Sequence, residues 1–376
     1  MDNFSPQDAK KQVGVLLKKA VEIGSSDVFL APGVPPAYKQ DGKTLFFPKQ
    51  SPCATIFIEA YLSTILGEVE NNFFRENQEL DMAITIDGIG RFRINVFMQL
   101  SGVSIAFRYV PGAIPSFESL GIPESLKKVV KYANGLILVT GAMGSGKTTT
   151  LASLIDLINK EQNRHIITIE DPIEFIYHHK NSLIEQREIG VHAKNFQTAM
   201  RSTLRQSADV IMLGEMRDAE TITMALTAAE TGSLVISTLH TSGVSKTINR
   251  IIGMFSAEKQ DQIRFQLSEV LRCCLWQSLL PKKDGEKGLV PAFEVLFNNY
   301  AIGNMIREKK TFQIPTAIET HRNEGMIAMP QYLKFLIQGG KINASDAFRL
   351  APEDAELRSM ATAETNISSN TDGLKE

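Results

Sequence analysis

The chain has 376 residues, 43% of them hydrophobic and 22% charged, with a formal net charge of -2 and a pI near 6.4. That length suits two domains of roughly 150 residues with a sizeable core, and the near-neutral charge gives no sign of a nucleic-acid partner. No stretch approaches the roughly 18 consecutive apolar residues that cross a bilayer, which excludes a membrane-spanning helix.

The opening MDNFSPQDAKKQ carries no apolar signal segment, so a cytoplasmic location is expected. Residues 5 to 23 read as an amphipathic helix: Val13, Leu16, Leu17, Ala20 and Val21 recur at helical spacing, Ser5 and Asp8 form a capping box, Pro6 opens the first turn and Gly24 stops it. Short strands and turns follow, with Asp41-Gly42 as a hairpin signal inside AYKQDGKTLFF, and then a helix around 54 to 67. From Met82 to Val110 the pattern alternates as strands do, broken at DGIG and at Ser101-Gly102. Within it RFRINVF puts Arg91, Arg93 and Asn95 on one face and Phe92, Ile94 and Val96 on the other. The first domain is therefore read as a small α+β unit ending near Pro111, and PGAIPSFESLGIP, residues 111–123, as the linker.

Beyond the linker, strands alternate with helices: GLILVTG, a helix from Lys147, HIITIED, a helix around 195–206, DVIMLGE, a helix over 218–231, and LVISTLH. This order predicts an α/β domain with a parallel sheet covered on both faces and a ligand beyond the carboxyl ends of its strands. Glu170-Asp171, Glu215 and His240 close three of those strands. After Thr241 the pattern reads as mostly helical to about 349, with Ile263, Leu267, Val270, Leu271, Cys274 and Leu275 as one buried helix face; the polar tail, residues 350–376, reads as disordered. Cys53, Cys273 and Cys274 have no metal or C-x-x-C spacing and read as reduced thiols.

GAMGSGKT, Gly141 to Thr148, fits G-x-x-x-x-G-K-[ST] in full and lies between a predicted strand and a predicted helix, the setting of a phosphate-binding P-loop. Gly141, Gly144 and Gly146 let the backbone turn its N–H groups inward, with Ser145 and Thr149 in the same cradle. Lys147 would neutralise the β and γ oxygens, and Thr148 would ligand Mg²⁺ of a bound ATP. Hydrolysis needs a carboxylate at a neighbouring strand end, and Glu215, Glu170, Asp171 and Glu174 are candidates. Any one of these acids alone is more simply a solvated strand end; together with the loop they favour catalysis. His240 could report whether a γ-phosphate is bound, against the plainer reading of a structural histidine. Arg91, Arg93 and Arg108 could supply the cation that phosphoryl transfer calls for, against the plainer reading of a solvated strand face.

With these boxes in place, the chain resembles the secretion-motor ATPases, and within them the type IV pilus retraction ATPases of the PilT/PilU kind. The likeness runs from about Gln12 to Phe348. GSSDVFLAPGVPPAYKQDGK resembles the family's N-terminal signature and GRFRINVFMQLSGVSIAFRYVP its arginine-bearing strands. GAMGSGKTTTLASLID resembles Walker A, HIITIEDPIEF the Asp box, LGEMRDAETITMALTAAETG the Walker B region and TGSLVISTLHTSG the His box. The resemblance implies a PAS-like N-terminal domain over 1–110, a RecA-like ATPase domain with C-terminal helices over 124–349, and a ring of six identical subunits. It implies Glu215 as the catalytic glutamate, Glu170 or Asp171 assisting with metal or water, His240 as nucleotide sensor, and Arg91, Arg93 and Arg108 reaching phosphates at domain or subunit contacts. ATP and Mg²⁺ are the cofactors it implies. An inner-membrane pilus platform protein is the partner, with a paralogous pilus ATPase as a further one, and the place of work is the cytoplasmic face of that membrane at the pilus base.

Ser233, Asn249, Ser256, Gly303 and Pro330 depart from the family's usual histidine, aspartate, proline, arginine and aspartate, and none of them lies in the phosphate loop or at Glu215. Two other readings stand beside retraction. Pilus extension and type II secretion ATPases share the four boxes, but they usually carry a longer N-terminal region and a four-cysteine metal module that this sequence lacks. An accessory or regulatory ring subunit with little turnover is opposed by the intact Lys147, Thr148 and Glu215 and favoured by Ser233 and Gly303.

Overall fold

A computed structural model describes residues 4–40, 42–110, 112–285 and 288–372, and divides the chain into two compact units. The first comprises residues 1–113 together with Pro172–Ile176; the second comprises 114–171 and 177–376. Helix α1 (Pro6–Glu22) begins as its capping box dictates: the Ser5 hydroxyl accepts the Asp8 N–H at 3.1 Å and donates to the Asp8 carboxylate at 2.6 Å. Its buried face, Ala9, Val13, Leu16, Leu17 and Ala20, joins the core of the first unit.

That core lies under an antiparallel sheet of β1 (Asp27–Leu30), β2 (Ala37–Gln40), β3 (Lys43–Phe46), β4 (Glu79–Ile86), β5 (Gly90–Gln99) and β6 (Gly102–Val110), in the order β3-β2-β1-β6-β5-β4. The alternation read in RFRINVF holds: Phe92, Ile94 and Val96 are buried, while Arg91, Arg93 and Asn95 occupy the other face. Strands β2 and β3 are antiparallel partners; of the expected turn pair, Gly42 has φ 77° and Asp41 lies outside the described residues. The single helix expected around 54–67 is α2 (Thr55–Leu62), and a second helix follows it, α3 (Glu68–Asn77), which the sequence reading did not assign. EVENNFFREN carries few apolar residues, and only Phe74 of α3 is buried, so its periodicity is faint.

Of the expected linker, Pro111 lies outside the described residues, the boundary between units falls after Ala113, and Phe117 and Ile122 are buried within the second unit.

The second unit is RecA-like. Its sheet contains β7 (Gly135–Thr140), β8 (His165–Glu170), β9 (Leu183–Glu188), β10 (Val210–Leu213), β11 (Leu234–Leu239), β12 (Leu271–Pro281) and β13 (Leu289–Phe297), ordered β13-β12-β7-β11-β10-β8-β9. Every neighbouring pair is parallel except β12 with β13. The strands β7, β10 and β11 are buried along their whole length, as expected where α4 (Lys147–Glu161), α5 (Phe196–Thr203), α6 (Ala219–Glu230), α7 (Val244–Gly253) and α8 (Ala257–Val270) cover a parallel sheet. Helices α9 (Tyr300–Arg307), α10 (Ile314–Thr320), α11 (Met329–Gln338) and α12 (Ala344–Leu350) follow.

Two expectations for the C-terminal region are corrected. The stripe from Ile263 to Leu275 is not one helix face: α8 ends at Val270 and β12 starts at Leu271 with no intervening glycine or proline. Cys273 and Cys274 are both fully buried because successive strand residues face opposite sides of a sheet covered on both. The tail expected to be disordered forms α13 (Ala355–Asp372) over most of its length, and residues 373–376 lie outside the described residues. Leu357 explains the difference: it is fully buried in a cluster with Leu280, Ala292, Met329, Leu333 and Ala347. Leu357→Ala is expected to cost about 2–5 kcal/mol at that contact and to release α13. Limited proteolysis should then cut between 351 and 372 while the remainder stays protected; a wild-type cleavage pattern would contradict this docking.

Candidate phosphate-binding site

Strand β7 runs into the loop 141–146, and α4 starts at Lys147. Gly141 has φ 151°, and a Cβ there would stand 2.3 Å from the Gln277 carbonyl oxygen and 2.4 Å from Ser145 Oγ. Gly146 has φ 84°, and its Cβ would stand 2.8 Å from the Gln277 amide nitrogen. Both positions therefore require glycine, for backbone and for space. Ser145 Oγ is buried with no hydrogen-bond partner among the described residues, so the loop retains an open polar group where an anion would bring acceptors.

Lys147 is 7% exposed, and its ammonium donates to the Ala142 carbonyl at 2.8 Å, across the mouth of the loop. It also lies 3.2 Å from His240 Nδ1. An ammonium can only donate, so Nδ1 accepts; Nε2 then carries the proton and faces the Glu215 carboxylate at 3.3 Å. The other Glu215 oxygen accepts from Arg217 Nε at 2.9 Å. Lysine, histidine, glutamate and arginine thus form one continuous chain from the loop of β7 to the ends of β11 and β10. The backbone fixes those ends: the Thr238 hydroxyl donates to the Gly214 carbonyl at 2.6 Å, and the Met216 N–H to the Thr238 carbonyl at 3.2 Å.

Thr148 and Thr149 occupy the first turn of α4, both half-buried. The Asp-box acids differ from one another. Glu170 is buried, and one of its oxygens accepts from the Thr168 hydroxyl at 2.7 Å and from the Gln186 amide at 3.1 Å. Asp171 is exposed at the end of β8, where the Gly214 N–H donates to the Ile169 carbonyl at 2.9 Å and ties the ends of β8 and β10 together. Glu174 is half-buried in the segment Pro172–Ile176 that groups with the first unit.

The arginines gather in the first unit. Arg93 and Arg108 are direct cross-strand partners on β5 and β6, and Arg91 lies two residues along β5 on the same face. Arg108 is paired with Asp27 at 2.9 Å, which offsets the repulsion between the facing arginines, and Arg91 donates to the Ile173 carbonyl at 3.2 Å. The loop, Lys147, His240 and Glu215 are thus joined in the second unit, and the arginines are grouped with one another in the first.

Residues 68–325 match the family described as type II/IV secretion system protein. The chain belongs to that family. Among its relatives is the uncharacterized protein YggR of Escherichia coli K12, 41% identical over 323 residues, covering 86% of this chain and 97% of that one. The type IV pilus retraction ATPase PilT of Pseudomonas aeruginosa is 41% identical over 334 residues, covering 88% of this chain and 96% of its own length. A crystal structure of the pilus retraction motor PilT with bound ADP superposes with a TM-score of 0.85 at 42% identity, covering 92% of this chain and 98% of that one. In this family member the loop 141–146 and the acid Glu215 are both present, joined through Lys147 and His240.

Two residues of the site were not singled out in the sequence. Gln277 on β12 touches both ends of the loop, and its signal is a lone amide in the apolar run LRCCLWQSLLP. Glu294 on β13 accepts the Val244 N–H at 2.7 Å at the start of α7, just beyond His240. Burial pushes its carboxyl pKa up, against the opposing pull of the Val244 and Met329 N–H groups and of Lys246.

Proposed function

We propose that this protein is the ATP-hydrolysing subunit of a six-membered ring motor that powers type IV pilus retraction from the cytoplasmic face of the inner membrane. The observation that carries the hydrolytic part is the chain Lys147–His240–Glu215, which links the phosphate-binding cation to the strand-end carboxylate. In this reading Lys147 leaves Ala142 for the β and γ oxygens of ATP, and His240, relieved of the ammonium, turns toward the γ-phosphate. The state of the nucleotide is thereby passed to Glu215, which orients the attacking water and takes up its proton. The N–H groups of Gly141 to Thr149 cradle the phosphates, and the N-terminus of α4 adds its dipole.

Thr148, in the first turn of α4, and Asp171, at the end of β8, are the protein groups that would hold Mg²⁺ with a bound ATP. No group of three or more His, Cys, Asp or Glu able to hold a metal occurs among the described residues. Mg²⁺ in such sites keeps several waters and relies on phosphate oxygens with one or two protein groups, here Thr148 and Asp171. Bound there, it would neutralise charge developing on the phosphates.

The arginine-bearing face of β5 and β6 would supply positive charge to the phosphates at a domain or subunit contact, with Arg91, Arg93 and Arg108 as the groups to test. Self-assembly, an inner-membrane platform protein and a paralogous pilus ATPase complete the partners. The near full-length likeness to a named retraction ATPase supports retraction over extension. Deleting the gene in its own cell is expected to leave surface filaments that no longer shorten, with shortening restored by the wild-type gene and not by Lys147→Ala. Loss of the filaments altogether would mark an extension motor instead.

A further inference from the structure

Strand β12 pairs with β7 as far as Trp276 opposite Thr140, so its next residue, Gln277, stands beside the start of the loop. Gln277 is 3% exposed and makes two side-chain hydrogen bonds, both to the loop and its helix. Its amide nitrogen donates to the Ser145 carbonyl at 2.7 Å, and its amide oxygen accepts from the Thr150 hydroxyl at 2.7 Å. Thr150 is itself held in α4 by its N–H to the Gly146 carbonyl at 3.0 Å. A hydroxyl donor on the amide oxygen fixes the orientation of the whole amide, so its N–H is committed to Ser145.

The consequence lies on the other side of one peptide bond. In a planar trans peptide the C=O and the following N–H point in opposite directions. Holding the Ser145 carbonyl against β12 therefore turns the Gly146 N–H to the opposite face, the concave face from which a P-loop donates to phosphate. Gly146 cannot hold that orientation alone, because glycine at φ 84° has neighbouring conformations within easy reach.

We propose that Gln277 is a positioning residue for the nucleotide phosphates: bonded to Ser145 and oriented by Thr150, it fixes the peptide that presents the Gly146 N–H to the ligand. The inference rests on the nucleotide-binding reading of the loop. The plainer alternative is a buried amide that merely satisfies its own hydrogen bonds, and the two differ in what a near-isosteric change should alter.

The test uses the full-length protein, with a fluorescent ADP analogue for affinity and thermal melting without nucleotide for stability. Gln277→Met keeps the volume and removes both bonds. It is expected to weaken ADP binding by roughly tenfold or more, the scale of one hydrogen bond to a charged group. Thr150→Val leaves the bond to Ser145 possible but unoriented, and is expected to weaken ADP about three- to fivefold, the scale of one neutral hydrogen bond. A folded Gln277→Met protein that binds ADP as tightly as wild type, whatever its melting temperature, overturns the proposal in favour of the plainer reading. If Gln277→Met does not fold, unchanged ADP affinity in Thr150→Val overturns it equally. Failure of the wild-type protein to bind ADP would overturn the nucleotide reading itself, a result distinct from either variant's.

Discussion

Glu215→Gln is expected to lower kcat for ATP hydrolysis by roughly 10² to 10⁴-fold, the usual range for a group that takes a proton in the transition state, while ATP binding persists. The carboxylate stands at the end of β10 with one oxygen toward His240 Nε2 and the other toward Arg217. Glutamine preserves shape, and its one amide oxygen can accept from either His240 or Arg217 while its NH2 faces the other, so the fold and the loop should be retained at the loss of one of these two contacts. It cannot take a proton from water. Single-turnover hydrolysis alongside ATP-analogue binding separates the effects: retained binding with lost turnover is expected, and turnover within a few-fold of wild type would remove Glu215 from the chemistry.

The second large effect belongs to Lys147→Ala. The ammonium is nearly buried and is held by the Ala142 carbonyl and His240, partners it can exchange for phosphate oxygens at little cost in order. Charge-assisted hydrogen bonds to phosphate are about twice as strong as neutral ones, and losing them should weaken ATP and ADP roughly 100-fold or more. Hydrolysis at ordinary ATP concentrations would cease with binding, whereas Glu215→Gln loses hydrolysis alone. Isothermal titration with ADP measures the difference, and an unchanged affinity would mean that Lys147 does not face the phosphates. His240 should then be freed of the ammonium, which makes this variant a check on the relay as well.

Much of this was legible in the residues, for identifiable reasons. The phosphate loop reads clearly because glycine at 141 and 146 answers both a backbone and a space requirement, and because an apolar strand precedes it and a helix follows. The strand-end positions of Glu215, His240 and Glu170-Asp171 follow from buried runs that stop at a polar residue. The junction of α8 with β12 was not legible. Helical spacing continues by chance from Ile263 to Leu275, no breaker marks Leu271, and an apolar run buried on both sides suits helix and strand alike. Helix α13 was missed for a related reason: a polar composition suggested disorder, and what docks it includes one fully buried leucine, Leu357, whose partners come from β12, β13, α11 and α12. The part played by Gln277 is likewise invisible in sequence, since its partners lie 132 and 127 residues away.

The central claim is that this chain is itself a hydrolytic ring subunit. It is tested most directly by measuring ATP turnover of the purified full-length protein across a range of concentrations, together with its mass in solution with and without ATP and Mg²⁺. Turnover per subunit that rises as a six-subunit species assembles is expected. A protein that binds ATP yet stays monomeric and idle at every concentration would contradict the claim and point to an accessory subunit of another motor.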